Sequence, residues 1–198
     1  MVNGDISYED TVDPAGCNCG PEGFQICSRD PERTPMQWSA EKNAGFSQGD
    51  KTWLPVNPNY VDLNVEAQMS SEESSLKVYQ TLAKLRAEDK RLQIGLMEIA
   101  TVGSFLGIAR LDEDALDAET FEALFLVVNF GAEPATENMN EFGLDAEAKV
   151  IVRSSSSNNP STVPGNPIDL TQVTLEPYEA IVIDATLTEP TQKMKLRP

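Results

Sequence analysis

The feature that most constrains this chain is a long opening stretch rich in rings but without a period. Residues 1–69 hold six prolines (Pro14, Pro21, Pro31, Pro35, Pro55, Pro58) and six glycines (Gly4, Gly16, Gly20, Gly23, Gly45, Gly49). No helical or strand alternation survives in it for more than a few positions, and such punctuation ordinarily marks loops. Yet the same stretch contains Trp38, Phe46, Trp53, Leu54, Val56, Tyr60, Leu63 and Val65, which are not the residues of a disordered tail. Structureless loops beyond about 12–15 residues are uncommon in compact domains and are often functional. So many rings in one irregular segment must pack on something, and the rest of the chain is committed to a core of its own. The expectation is that the missing surface belongs to a larger protein, of which this chain is a carboxy-terminal piece.

Beyond that stretch the pattern becomes regular. SSEESSLKVYQTLAKLRAEDK (70–90) predicts a helix, with Ser70 as cap, Glu73 in the capping-box position and Glu72 in the first turn. Leu76, Tyr79, Leu82, Ala83 and Leu85 share one face, opposite Lys77, Gln80, Lys84 and Glu88. From Leu92 onward short β-branched and aromatic runs take over: 94–101, 104–111, 122–130, 148–154, 173–175 and 179–185. Gly, Pro, Asn and Ser clusters separate them, among them SSSSNNPSTVPGNP (154–167). The acidic run LDEDALDAETFE (111–122) reads as a long hairpin loop or a helical turn, and TLTEPTQKMKLRP as a frayed terminus. Strands at this spacing with no helices between them predict an antiparallel sandwich.

Charge and composition remove whole classes of function. The net charge of −17 would repel nucleic-acid phosphates and an anionic membrane leaflet alike. There is no histidine, so the commonest general acid–base group and metal ligand is absent from the chain. Cys17, Cys19 and Cys27 lack the second pair or the histidines of a zinc site. They leave two readings open: a Cys17–Cys27 disulfide with Cys19 odd, or three free thiols. No run approaches the roughly 18 apolar residues of a membrane span. The opening MVNGDISYED carries neither the basic stretch nor the apolar run of a secretory leader.

Against this background SRDPERTPMQW (28–38) stands out, with Arg29 and Arg33 four positions apart. NAGFS (43–47), KTWLPVNPNY (51–60), a helix and LEPYEAIVI (175–183) follow in order, and ISYEDTVDPAGCN (6–18) leads in. In that order the motifs resemble the carboxy-terminal part of α-glucosidases, the maltase branch of the α-amylase family of glycoside hydrolases, arthropod ones above all. The resemblance runs from about Val2 to Ala185 and is strongest over 28–60.

The resemblance implies a fold and a division of the chain. Residues 1–91 would end a (β/α)8 catalytic barrel: 1–69 as the loop after its last strand, 70–90 as its final helix. Residues 92–186 would form an all-β antiparallel Greek-key sandwich, and 187–198 a tail. It also implies retaining hydrolysis of terminal α-linked glucose from maltose and short α-glucosides. In the family the nucleophile, the acid, a further aspartate and two histidines all lie upstream of the SRD motif. No catalytic carboxylate, metal or cofactor is therefore assigned to this chain. Its expected partners are the upstream barrel and the sugar, and its expected setting is extracellular or membrane-anchored facing outside.

What carries over is binding. In the family the SRD arginine reaches into the pocket of the terminal glucose beside an upstream aspartate, which implies Arg29 here; the plainer reading of Arg29 is a buried salt bridge that pins the loop. A guanidinium presents a flat fork of donors suited to holding a carboxylate and hydroxyls together. Arg33 is the second substrate-binding candidate, with a scaffold role against Asp30 or Glu32 as the plainer reading. Trp38 and Trp53 read as anchors more than as sugar platforms, and Asn57, Asn59 and Tyr60 as turn and packing residues. One alternative keeps the fold and loses the chemistry. The maltase-like heavy chains of amino-acid transporters share this region, and an upstream sequence lacking the catalytic set would point to them.

Overall fold

The computed structural model describes residues 3–112, 121–139 and 144–187, and the chain divides into two compact units, Met1–Leu76 and Lys77–Pro198.

The first unit is irregular but not unstructured. Helix α1 (Pro14–Cys27) opens with proline at its first position, where a missing N–H costs nothing. It is two helical pieces joined at a kink: Gly20 takes φ 69°, and Pro21 follows. The segment was expected to be loop, because its glycines and prolines are poor helix formers. A disulfide compensates. Cys19, just before the kink, bonds Cys27 at the helix end, with their Cα atoms 6.5 Å apart. This corrects both readings left open by the sequence, the Cys17–Cys27 disulfide and three free thiols. The kink brings Cys19 to Cys27, while the exposed Cys17 thiol turns toward the Thr11 carbonyl at 3.4 Å. Short 3-10 turns at Asp30–Glu32, Lys42–Gly45 and Pro58–Val61 lead to α2 (Val65–Ser70).

The predicted helix 70–90 begins later than its sequence suggests. Ser70 closes α2, its hydroxyl donating back to the Glu66 carbonyl at 3.0 Å, and α3 spans Ser75–Glu88. Two caps displace the expected one: the Asn64 side chain accepts from the Ala67 amide to start α2, and Gln68 Oε1 accepts from the Leu76 amide in the first turn of α3. None of the α3 residues is buried, and Tyr79 and Leu82 of its apolar face are exposed. A single turn, α4 (Lys90–Gln93), follows, capped by Asp89 on the Arg91 amide.

The second unit is antiparallel β. Its strands are β1 (Leu96–Val102), β2 (Phe105–Leu111), β3 (Phe121–Asn129), β4 (Ala135–Glu137), β5 (Leu144–Arg153), β6 (Pro167–Ile168), β7 (Val173–Leu175) and β8 (Ala180–Leu187). Six of them form a sheet in the order β1-β2-β3-β8-β5-β6, and β4 pairs with β7 in a second, small sheet. The last long strand thus inserts between β3 and β5, a long-range closure that hairpins alone cannot make. Alternation decides which face is buried: every second residue of β2, from Phe105 to Leu111, is inside. The core joins Phe105, Phe125, Val127, Val150, Ile181 and Ile183 of the large sheet to Val173 and Leu175 of the small one, with Met139 and Leu170 between.

Mixed architecture and antiparallel sandwich agree with the sequence expectation. Two short strands, β4 and β6, were not foreseen. Pro167 sits on an edge strand, where its missing donor is tolerated. Leu187 extends β8 into the expected tail. Of the acidic run 111–122, Leu111 ends β2 and Phe121 opens β3, while 113–120 lie outside the described residues, as do 188–198 of the tail.

Candidate functional site

The motif 28–33 folds into a knot of two acids and two arginines, built from the backbone upward. Ser28 ends α1, its amide donating to the Phe24 carbonyl at 2.8 Å. The chain then turns in one 3-10 step, closed by the Arg33 amide on the Asp30 carbonyl at 2.9 Å. Gly16 lets this turn approach α1: a Cβ there would lie 2.7 Å from Ser28 Cβ and 2.8 Å from Thr11 Cγ2.

Asp30 is fully buried and ties the turn to the strand-like segment before α1. Its Oδ2 accepts from the amides of Val12 (2.7 Å) and Asp13 (2.9 Å), and its Oδ1 from Arg33 Nη2 (2.5 Å). Burial alone would raise the Asp30 carboxyl; the amides of Asp13 and Val12, then the guanidinium of Arg33, outweigh it and hold it below its ordinary value. Arg33 also stands 3.9 Å from Asp13 Oδ1 and lies over the ring of Trp53 at 5.6 Å, a cation–π geometry. Its scaffold contacts are thus with Asp30, Asp13 and Trp53.

Asp13 is the partner of Arg29. Its Oδ2 accepts from the Arg29 amide (2.9 Å) and Nε (3.0 Å), and its Oδ1 from Nη2 (2.8 Å). This is a fork-on-fork pair, the strong form of a charged hydrogen bond. The side-chain bonds from Arg29 hold the Asp13 carboxyl far below the usual range, and Asp13 in turn raises the guanidinium. Asp13 is sealed from solvent, while the Arg29 side chain is 69% exposed. Arg29 is therefore anchored at one edge and open at the other. Sequence reading expected a partner acid from the preceding barrel and did not single out Asp13, the partner within this chain. The one signal available was an acid directly before a helix-starting proline, which reads as an ordinary cap.

Elsewhere in the first unit Trp38 is about half exposed, as is Trp53 beside Arg33, and Phe46 is nearly so. Gln37 is buried and donates to Asn59 Oδ1 (2.8 Å) and the Leu63 carbonyl (2.6 Å), fastening the motif to the turn that Asn57 caps. A cleft of about 540 Å³ in the second unit is lined by Glu122, Lys149, Asp184 and Thr186. It holds none of the motif residues. Among the described residues no cluster of acids and cysteines has the make-up of a metal site.

Comparison with known proteins supplies a family. Residues 1–95 match the alpha-amylase catalytic domain family. The chain is 61% identical over 82 residues to Maltase 1 of Drosophila virilis, covering 41% of this chain and 13% of that protein. It is 41% identical over 136 residues to the salivary alpha-glucosidase of Anopheles gambiae, 69% of this chain and 22% of that one. In structure it resembles the trehalulose synthase MutB of Pseudomonas mesoacidophila, with a TM-score of 0.67 at 26% identity, over 93% of this chain and 34% of the other. The chain belongs to the amylase and glucosidase superfamily of glycoside hydrolases, and it spans less than a quarter of the length of these two curated relatives.

Proposed function

We propose that this chain is the carboxy-terminal part of an α-glucosidase that removes terminal α-linked glucose from maltose and short α-glucosides by retaining double displacement. The nucleophilic and acid carboxylates come from a preceding barrel, and this chain contributes the loop after its last strand, its final helix and the sandwich. On this reading 1–91 complete the catalytic domain, and 92–186 buttress it. The observation that carries the proposal is Arg29: a guanidinium in the SRDPERTPMQW motif, gripped along one edge by Asp13 and open along the other. That is the shape needed to donate to sugar hydroxyls at the closed end of a pocket. The half-exposed Trp38 and Trp53 and the unburied apolar face of α3 supply a surface for the barrel to cover. Arg33 serves this site as scaffold, through Asp30 and Trp53. The Cys19–Cys27 disulfide suits an oxidising compartment and so a face turned outside the cell.

The test is turnover. The longer polypeptide carrying this chain should release glucose from maltose, the 198-residue chain alone should not, and Arg29→Ala in the longer form should weaken recognition of the glucose unit far more than Arg33→Lys. Hydrolysis by the isolated chain would refute the placement of the chemistry upstream. A longer form that assembles with an amino-acid transporter and hydrolyses nothing would instead favour the heavy-chain alternative.

A further inference from the structure

The proposed sugar site rests on one guanidinium, and on that reading its aim becomes the question. A solvent-facing arginine ordinarily samples many rotamers, and ordering it costs entropy. Arg29 does not have that freedom. Asp13 accepts from Nε at 3.0 Å, from Nη2 at 2.8 Å and from the Arg29 amide at 2.9 Å, so the carboxylate holds both ends of the side chain. Asp13 is itself immobilised: its side chain is buried, its amide donates to Asp30 Oδ2 at 2.9 Å, and Pro14 fixes the chain just after it. Nη1 has no partner among the described residues, and it lies on the open edge of a side chain that is 69% exposed. The acid also compensates the positive charge. The free edge therefore presents N–H donors without the net charge that would favour an anion.

We propose that Asp13 is the positioning residue of this site: it turns the Nη1 edge of Arg29 toward the ligand and tunes it for the hydroxyls of a neutral sugar over an anionic one. Asp13 itself touches no sugar. Asp30 has a different task, because it holds the Val12 and Asp13 amides and Arg33 but makes no hydrogen bond to Arg29.

The experiment is a double-mutant cycle in the longer enzyme, read as KM and kcat for maltose. Asp13→Asn and Arg29→Ala should each raise KM about tenfold or more, the usual consequence of losing a charged hydrogen-bond partner. In the double variant KM should stay within about twofold of Arg29→Ala alone, since Asp13 acts only through Arg29. Asp13→Glu, which keeps the charge, should recover part of the loss. Asp30→Asn should raise KM clearly less than Asp13→Asn. Gluconate, an anionic sugar acid, should inhibit Asp13→Asn more strongly than the parent enzyme.

Additive effects of the two changes would overturn the proposal, as would an equal KM rise from Asp30→Asn or unchanged gluconate inhibition. If Asp13→Asn does not fold, Asp13→Glu carries the test, with the reaction of Arg29 with phenylglyoxal followed by mass spectrometry. Arg29 should be protected in the parent and modified severalfold faster in the variant; equal rates overturn the proposal. An Arg29→Ala enzyme with unchanged KM would instead remove Arg29 from the sugar site, a failure of the functional reading that the labelling rates distinguish from a failure of positioning.

Discussion

The two units solve the problem of staying folded in opposite ways. Among the described residues of the first, the buried apolar side chains are Ile6, Pro35, Ala44 and Leu54, and the polar ones outnumber them: Thr11, Asp13, Asp30, Thr34, Gln37, Asn57, Asn64 and Ser74. Ion pairs, caps and a disulfide hold it. In the second, a continuous cluster running from Val102 to Ala185 fills the space between two sheets. Each unit also buries a carboxylate differently. Asp13 and Asp30 face arginines. Glu179 meets only neutral donors: Ser157 and Thr162 hydroxyls on Oε1 at 2.6 Å, and the Glu176 amide (2.8 Å) and Asn159 Nδ2 (3.1 Å) on Oε2. A charge compensated by dipoles needs no mobile partner and serves as a structural pin. A charge compensated by an exposed arginine leaves a donor edge for something else. The difference separates a unit held by a continuous apolar core from one held by ion pairs, caps and a disulfide.

That contrast can be broken by measurement. The largest effect is expected at the sandwich core. Phe125→Ala should cost about 3–5 kcal/mol, read as a fall in the unfolding midpoint of the β unit by near-ultraviolet circular dichroism and denaturant titration. Removing the staple of the first unit comes next. Cys19→Ser with Cys27→Ser should cost that unit about 2–3 kcal/mol by the loop-closure estimate for so short a ring. Protease should then cut within the α1 segment while the β transition stays in place; a matching loss in both units would show that the two are not stabilised separately.

Glu179→Gln should cost the β unit about 1–3 kcal/mol, because the amide cannot satisfy all four donors. The pH dependence has a definite sign. Burial would raise this carboxyl, but the hydroxyls of Ser157 and Thr162, the Glu176 amide and Asn159 pull it below its usual value of 4.5. Its contribution is therefore complete above that value and is lost as pH falls through the lower folded-state value. Glu179→Gln should flatten the acid limb of the β-unit stability curve, and an unchanged limb would assign that limb to other carboxylates. The smallest effect belongs to Ile26, 93% exposed at the end of α1: Ile26→Ser should shift stability by no more than about 0.5 kcal/mol. A larger loss would mean that the first unit uses apolar contacts after all.

Legibility in the sequence followed the same division. The long strands were visible because burial on one face imposes a period that residue order alone carries, and the body of α3 by the helical spacing of its apolar residues, although none of them is buried. The knot at 28–33 was half visible. Arg29 and Arg33 announced themselves by motif, and the Asp30–Arg33 tie was among the weighed pairings. Asp13 did not, since a contact sixteen positions distant leaves no period to read. Helix α1 was hidden for a related reason: its Gly and Pro content argues against a helix, and the covalent bond from Cys19 to Cys27 overrides that preference. Likewise Ser70 has the look of a cap, but Asn64 and Gln68 take that work.

Residue order by itself determined the alternation that makes the β unit, the net charge of −17 that argues against a nucleic-acid partner, and the motif that points to a sugar-handling family. Only the tertiary structure decided which acid meets Arg29, which cysteines pair, and that β8 lies between β3 and β5. The physical reason is range. Periodicity and composition record interactions between near neighbours and with solvent, whereas ion pairs, disulfides and strand order depend on where distant segments arrive once the chain has closed on itself.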